Sequence, residues 1–228
     1  MDFTNYPNTS ISGAGSIGGG TFNEVSCSGA AKVNGNIICA KFSASGAATV
    51  DGNIECHGKI SVSGAFKVTG NVKGDLFKAS GAATVNKNVS AKEIKLSGAT
   101  HIFGDCEGEN VEISGAGDID GLLNAENIII TLEANGTGIN KIGQIGGGTV
   151  IIRSRNHHTS RFFGIFTKGL MLKTSLIEAD RVELDNTKAE TVRTIDAVIG
   201  DGCEIGVLEY SGVVEISENA KVGKTVKI

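Results

Sequence analysis

The residues with the most recognisable chemical spacing are three glycines near the start of the sequence. The stretch ISGAGSIGGGT, residues 11–21, contains Gly13, Gly15 and Gly18 in the order G-x-G-x-x-G. In dinucleotide-binding folds this spacing lets a loop approach a pyrophosphate, provided that a strand precedes it, a helix follows it and an acidic residue comes about 20 positions later. Whether a nucleotide binds here therefore depends on the elements around the glycines.

A second stretch with chemical character is VIGDGCEIG, residues 198–206, where two Ile-Gly pairs lie six positions apart. This spacing is similar to the hexapeptide repeat of left-handed β-helix acyltransferases, which use a histidine base where subunits meet. Those enzymes keep long runs of hexads, whereas this chain has one clear hexad. An acyltransferase is therefore the enzymatic alternative, and we predict that the chain has no catalytic residue.

Cysteine and histidine are the usual residues of metal and nucleophilic sites, and both are present. No C-x-x-C spacing occurs among the five cysteines, which are Cys27, Cys39, Cys56, Cys106 and Cys203. His157 and His158 are adjacent, so on a strand they would point to opposite faces and could not hold one ion together. We predict reduced, buried thiols, surface histidines, no metal site and no cofactor.

Basic residues are concentrated in one part of a chain whose net charge is −4. Between residues 134 and 177 there are six lysines and arginines and no acid. The segment RSRNHHTSRFFGIFTKGLMLK, residues 153–173, has apolar runs around Thr167-Lys168-Gly169, which predicts a β-hairpin.

Three uses of this basic segment remain open: packing on the rest of the fold, contact with a membrane surface or a partner protein, and nucleic-acid binding. The overall acidity disfavours the nucleic acid. The residues assigned to a membrane or partner contact are Arg153, Arg155, Arg161, Phe162, Phe163, Phe166 and Lys168.

An internal repeat supplies the elements that must position all of these residues. The tripeptide Ser-Gly-Ala begins at Ser12, Ser28, Ser45, Ser63, Ser80, Ser97 and Ser114, in steps of 16 to 18 residues. A second turn signal of the Asn-Gly or Asp-Gly type follows in most repeats, and a third separates one repeat from the next. Three short strands and three turns in about 17 residues predict one triangular coil of a parallel β-helix.

The coils divide the chain and predict its core. We expect an N-terminal tail (1–10), a regular block (11–130), an irregular basic insertion with the hairpin (131–176) and a second block (177–228). The result is an all-β solenoid of roughly ten coils and about 48 Å. One predicted inward column is Val25, Phe42, Ile60, Phe77, Ile94 and Val111. A second is Ala30, Ala47, Ala65, Ala82, Ala99 and Ala116, and the cysteines fall in further inward columns.

The tandem coils of the type SGAAKVNGNI resemble the bactofilins, the polymer-forming cytoskeletal proteins of bacteria. The resemblance covers residues 11–130 well and 177–228 in part. It implies a right-handed β-helix that assembles end to end into filaments or sheets without nucleotide or metal. Such filaments would support cell shape, envelope organisation or motility, with the inner membrane surface or envelope and motility proteins as further partners. The chain departs from the family pattern in its second, interrupted block of coils.

The ends of a β-helix favour self-association because each end exposes unpaired backbone groups around an open apolar core. The residues assigned to these ends are Ile11, Ile17, Phe22, Ile216, Val222, Val226 and Ile228. In the alternative, Phe3 and Tyr6 fold over the first coil and leave a non-polymerising binding or adaptor module. The glycines of residues 11–21 then form the first coil, followed by a strand, and become a candidate subunit contact.

The sequence also predicts where the protein acts. Its first ten residues contain an acid and no lysine or arginine before an apolar run, unlike a signal peptide. No apolar stretch approaches the length of a membrane span. We therefore expect a cytoplasmic protein, with membrane association at the inner face as the variant that the basic segment would permit.

Overall fold

The computed structural model describes residues 2–133, 140–155 and 171–228. These residues form strands and turns, with no helix among them. The strands are β1 Asn8–Ile11, β2 Ala14–Cys27, β3 Ala30–Ala44, β4 Ala47–Asp51, β5 Ile54–Cys56, β6 Lys59–Val62, β7 Ala65–Val68, β8 Val72–Ala79, β9 Ala82–Val85, β10 Val89–Leu96, β11 Ala99–Ile102, β12 Cys106–Ile113, β13 Gly117–Glu133, β14 Ile142–Arg155, β15 Leu172–Leu184, β16 Thr187–Ile199, β17 Glu204–Tyr210, β18 Val214–Ile216 and β19 Lys221–Lys227.

The strands stack as a parallel β-solenoid of about 12 turns, with paired residues about 17 positions apart. Ile94, for example, pairs with Phe77 in one neighbouring coil and with Val111 in the other. The longer strands turn corners: β3, for example, pairs with β4, β5 and β6 and so contributes to all three faces of the solenoid. The predicted all-β solenoid is confirmed, with 12 turns where we expected roughly ten; its handedness stays a prediction.

The strands form because apolar and polar residues alternate between the corners of each coil. In β10, Val89, Ala91, Ile94 and Leu96 are buried while the intervening residues face outward. Fully burying a large aliphatic side chain contributes roughly 1.5–3 kcal/mol. A single coil buries few of them and exposes both of its edges, so the stack provides the stability.

One predicted inward column is wrong by one residue. The column of Ala30, Ala47 and their equivalents faces outward, and the residue after each alanine points into the core. This true column consists of Ala31, Ala48, Phe66, Ala83, Thr100 and Gly117. The reason is the two-residue period of a strand: Val33 faces inward, so Ala31 must do so as well and Ala30 cannot.

Two kinds of corner hold the coils at their spacing. At the first, the side-chain oxygen of one Asn accepts a hydrogen bond from the backbone N–H of its counterpart in the next coil. Asn53 N–H donates to Asn36 Oδ1 at 2.8 Å, and Asn71 N–H donates to Asn53 Oδ1 at 2.8 Å. At the second, the Ser-Gly corner, a Cβ added to Gly81 would overlap the carbonyl oxygen of Gly64. Glycine is therefore required there because successive coils approach closely.

The segment 131–176 differs from the expected irregular insertion wherever the structure describes it. Strand β13 continues to Glu133, and β14 pairs in parallel with both β13 and β15. These residues supply the coils missing from our count of ten. The sequence does not reveal these coils because QIGGGTV lacks the Ser-Gly-Ala corner. The predicted hairpin around Thr167 lies outside the described residues.

The boundaries of the other segments in the structure also differ from the predicted ones. The tail is shorter than ten residues because β1 begins at Asn8 and pairs with β2. Later coils are shorter than the earlier ones, since Ile177 pairs with Val192 and Val192 with Leu208. The structure therefore joins both blocks into one continuous stack of coils.

Candidate functional site

The first coil forms one end of the described solenoid. Strand β1 pairs with β2 alone, and the first half of β2 pairs with β3 alone. Ile11 is buried, whereas Ile17 and Phe22 are only partly buried and pack against the core. Residues 8–22 include no charged side chain. This end therefore offers unpaired strand edges and apolar side chains without electrostatic repulsion between two copies.

The glycines of the G-x-G-x-x-G stretch lie in this coil. Gly15 and Gly18 are within strand β2, and β3 follows where a nucleotide-binding fold would have a helix. A Cβ at Gly13 or Gly18 would meet nothing within 4 Å. Their positions agree with the predicted first coil and lack the strand-turn-helix context of a phosphate loop. The open space beside Gly13 marks the side on which no further coil is stacked.

The residues before β1 lie along the side of the solenoid. The Phe3 ring is buried, with its centroid 6.0 Å from that of Tyr6 and 5.2 Å from that of His57. His57 follows β5 in the third coil, well below the first coil. The alternative in which Phe3 folds over the first coil therefore does not match the position of its ring.

The last coil forms the other end. Strand β18 pairs with β16 alone, and β19 pairs with β17 alone. Val222 and Ala220 are partly buried against the core, and Ile216 is 43% exposed. Ile216 continues the inward ladder of Ile199, which is 1% exposed. The core is thus covered in the interior coils and open at this end.

Two of the residues assigned to this end do not lie over the core. Val226 continues the outward ladder of Arg193 and Glu209, so it lies on the side of the last coil. Ile228 is 64% exposed beyond β19, and its N–H donates to Tyr210 O at 2.8 Å. The open face of this end is therefore formed by Val214, Ile216, Ala220 and Val222, with Tyr210 beside them.

Most of the basic segment assigned to a membrane or partner contact lies outside the described residues. Arg161, Phe162, Phe163, Phe166 and Lys168 fall in this gap. Arg153 is exposed, and its guanidinium lies 3.5 Å from the Glu183 carboxylate. Arg155 ends β14, opposite Glu133 in the parallel register. The contact with a membrane or partner stays a prediction.

The predicted core role of the cysteines is confirmed. All five are free and buried. Burial raises the pKa of the Cys106 thiol to about 12, far from the range of a reactive thiolate. Of the histidines, His57 and His101 face outward as predicted, and His101 lies 3.2 Å from Asp120. The pair His157 and His158 lies outside the described residues.

The described residues include no cluster of three or more His, Cys, Asp or Glu side chains placed to hold a metal ion. Within the same ranges, no helix is long and apolar enough to cross a membrane. A groove of about 900 Å³ lies beside β14 to β19.

Comparison with known proteins identifies one segment. Residues 46–140 match the family described as "Bactofilin: Polymer-forming cytoskeletal". This match confirms, for residues 46–140, the resemblance noted in the sequence. The match covers less than half of the 228 residues.

Two curated relatives come from Bacillus subtilis (strain 168). Uncharacterized protein YhbF is 34% identical over 90 residues, which are 40% of this chain and 36% of the relative. Uncharacterized protein YhbE is 43% identical over 58 residues, which are 25% of this chain and 24% of the relative. The chain thus spans about a third or less of the relatives it matches. No solved structure matches it significantly.

Proposed function

We propose that this chain, with its bactofilin domain at residues 46–140, is a cytoskeletal scaffold whose copies associate end to end through the first and last coils. The observation that carries the proposal is that the core ladders are covered in the interior coils and open at both ends. Stacking a second copy there would bury Ile17 and Phe22 at one end and Ile216 and Val222 at the other.

The energetic reason is that a coil at either end of the solenoid has a neighbouring coil on one side only. It therefore lacks part of the strand pairing and apolar burial that stabilise an interior coil. An interior strand pairs on both sides, whereas β1 and β19 pair on one side only. Unpaired strand edges are templates for pairing with another chain. Contacts between different surfaces that do not close into a ring generate open filaments. End-to-end contacts of this kind would build filaments without a nucleotide as energy source.

The cellular role and location belong to the same proposal. The matched family is polymer-forming and cytoskeletal, which supports a cytoplasmic scaffold for cell shape, envelope organisation or motility. The family assignment favours this structural role over the acyltransferase alternative.

The experiment is sedimentation of the purified chain without nucleotide, compared with two substitutions of matched exposure. Ile216 in the last coil is 43% exposed, and Ile129 on the side of β13 is 41% exposed. We expect wild type and Ile129→Asp to pellet, and Ile216→Asp to remain in the supernatant, because only the latter places a carboxylate in the end contact. Wild-type protein that stays monomeric across salt and protein concentration would overturn the proposal, as would equal pelleting of the two variants.

A further inference from the structure

The groove beside β14 to β19 carries a ladder of lysines. Lys141 pairs with Lys173, Lys173 with Lys188, Lys188 with Glu204, and Glu204 with Lys221 in consecutive coils. At the strand spacing of about 4.8 Å, these five positions cover roughly 19 Å along the solenoid axis. The lysines are exposed, and all four line the groove.

The groove exists because the adjoining corner has short side chains. Gly143, Ser175, Gly206 and Gly223 occupy this corner in four of the coils. A Cβ at Gly143 would overlap the carbonyl oxygen of Asp120 in the neighbouring coil. Close stacking thus favours glycine at position 143, and the short side chains in these four coils leave a channel beside the lysine ladder, with Glu190 occupying the same corner in the remaining coil.

The positive charge in the groove is only partly neutralised. Lys188 Nζ lies 2.7 Å from Glu204 Oε2, and Asp120 at the rim pairs with His101. Lys141, Lys173 and Lys221 form no ion pair with another described residue. The remaining acid in the lining is Glu190. Lys188 first, and then Lys221 and Lys173, lower the pKa of the Glu204 carboxyl, as expected of a cationic surrounding.

A neighbouring charged ladder on the described surface alternates in sign. Glu178, Arg193 and Glu209 follow one another in consecutive coils, and Arg193 bonds to both acids, at 3.2 and 2.8 Å. Neighbouring like charges on a sheet destabilise each other. Three successive lysines therefore repel one another, and a bound anion would relieve this repulsion.

We propose that this groove binds a linear polyanion of the polyphosphate type along the solenoid axis. A lysine ammonium is a point charge on a flexible stem, so a row of them recognises closely spaced charge with little demand on geometry. The length and open shape of the groove fit a linear ligand. Its lining contains no aromatic side chain on which the bases of a nucleic acid would stack. The proposal is independent of end-to-end assembly.

The test is fluorescence anisotropy with a labelled medium-chain linear polyphosphate and the full chain. The groove variant is Lys141→Gln with Lys173→Gln. The matched control is Lys32→Gln with Lys67→Gln, which removes the same charge from the same face outside the groove. We expect the groove variant to bind about tenfold more weakly, because it loses two exposed ion pairs with the ligand. The control should bind nearly as wild type does.

Three results would overturn the proposal. Wild-type protein could fail to bind polyphosphate, or both double variants could lose affinity equally, which would indicate general charge attraction. A single-stranded oligothymidylate with the same number of phosphates could bind more tightly, which would indicate a nucleic-acid site. Thermal unfolding of each variant, followed by circular dichroism, verifies that these exposed substitutions leave the fold intact.

Discussion

The interior coils and the terminal coils share one sequence pattern but differ in what covers them. Ile199 is 1% exposed, and Ile216, the next residue in its ladder, is 43% exposed. A Cβ at Gly81 would overlap the coil before it, while a Cβ at Gly13 would meet nothing within 4 Å. In this fold the neighbouring coil, more than the residue type, therefore decides whether a position is core or surface.

The largest expected difference between interior and terminal coils is in how far a core substitution lowers the free energy of unfolding. Phe77→Ala, in the interior, should lower the free energy of unfolding by about 3–5 kcal/mol because it removes a fully buried ring and leaves a cavity. Val222→Ala, in the last coil, should cost about 1 kcal/mol or less because the side chain is only partly buried. Urea unfolding followed by circular dichroism measures both. Equal losses would mean that the ends are as well covered as the interior.

A smaller difference is expected at the Ser-Gly corners. Gly81→Ala should destabilise the chain by about 1–3 kcal/mol, because the added Cβ forces two coils apart. Gly13→Ala should leave the stability of the monomer unchanged, since its Cβ enters open space. If another copy stacks on this coil, Gly13→Ala should also reduce pelleting. Loss of monomer stability in Gly13→Ala would show that the first coil is covered from within the chain.

The smallest effect should be a difference in the rate of thiol labelling. Burial raises the pKa of Cys106 to about 12 and that of Cys203, nearer one end, to about 11. At mildly alkaline pH the native protein should therefore react slowly with a disulfide reagent. Cys27 and Cys203 should react before Cys106, because the terminal coils open more readily than the interior. Mass spectrometry after quenched labelling gives the order, and labelling of Cys106 first would contradict it.

The fold could be predicted from sequence where the corners carry a signature. Ser-Gly-Ala recurs because glycine alone fits under the preceding coil, so the regular block and its period were visible. The QIGGGTV coil has no such corner, so the sequence alone predicts an insertion there. The repeat predicts the alanine column one residue early because Ala30 and Ala31 are identical in type, and only the two-residue period from Val33 distinguishes them.

Of the two candidate sites, the sequence predicts the coil ends but not the lysine groove, for a related reason. The end residues Ile17, Phe22, Ile216 and Val222 follow from the repeat, because the repeat shows which coils come first and last. The lysine groove was missed, although Lys141 and Lys173 belong to the acid-free stretch of the sequence. Its other members come from coils of irregular length, so their alignment in one ladder appears only in the strand register.

The central claim is that the ends of the solenoid join copies of this chain into a filament. Electron microscopy of the purified wild-type protein, without nucleotide, tests it most directly through the axial repeat. About 12 turns at about 4.8 Å each give an expected subunit repeat of roughly 58 Å in a filament one solenoid wide. Single particles of one rod length, at every protein and salt concentration, would contradict the claim.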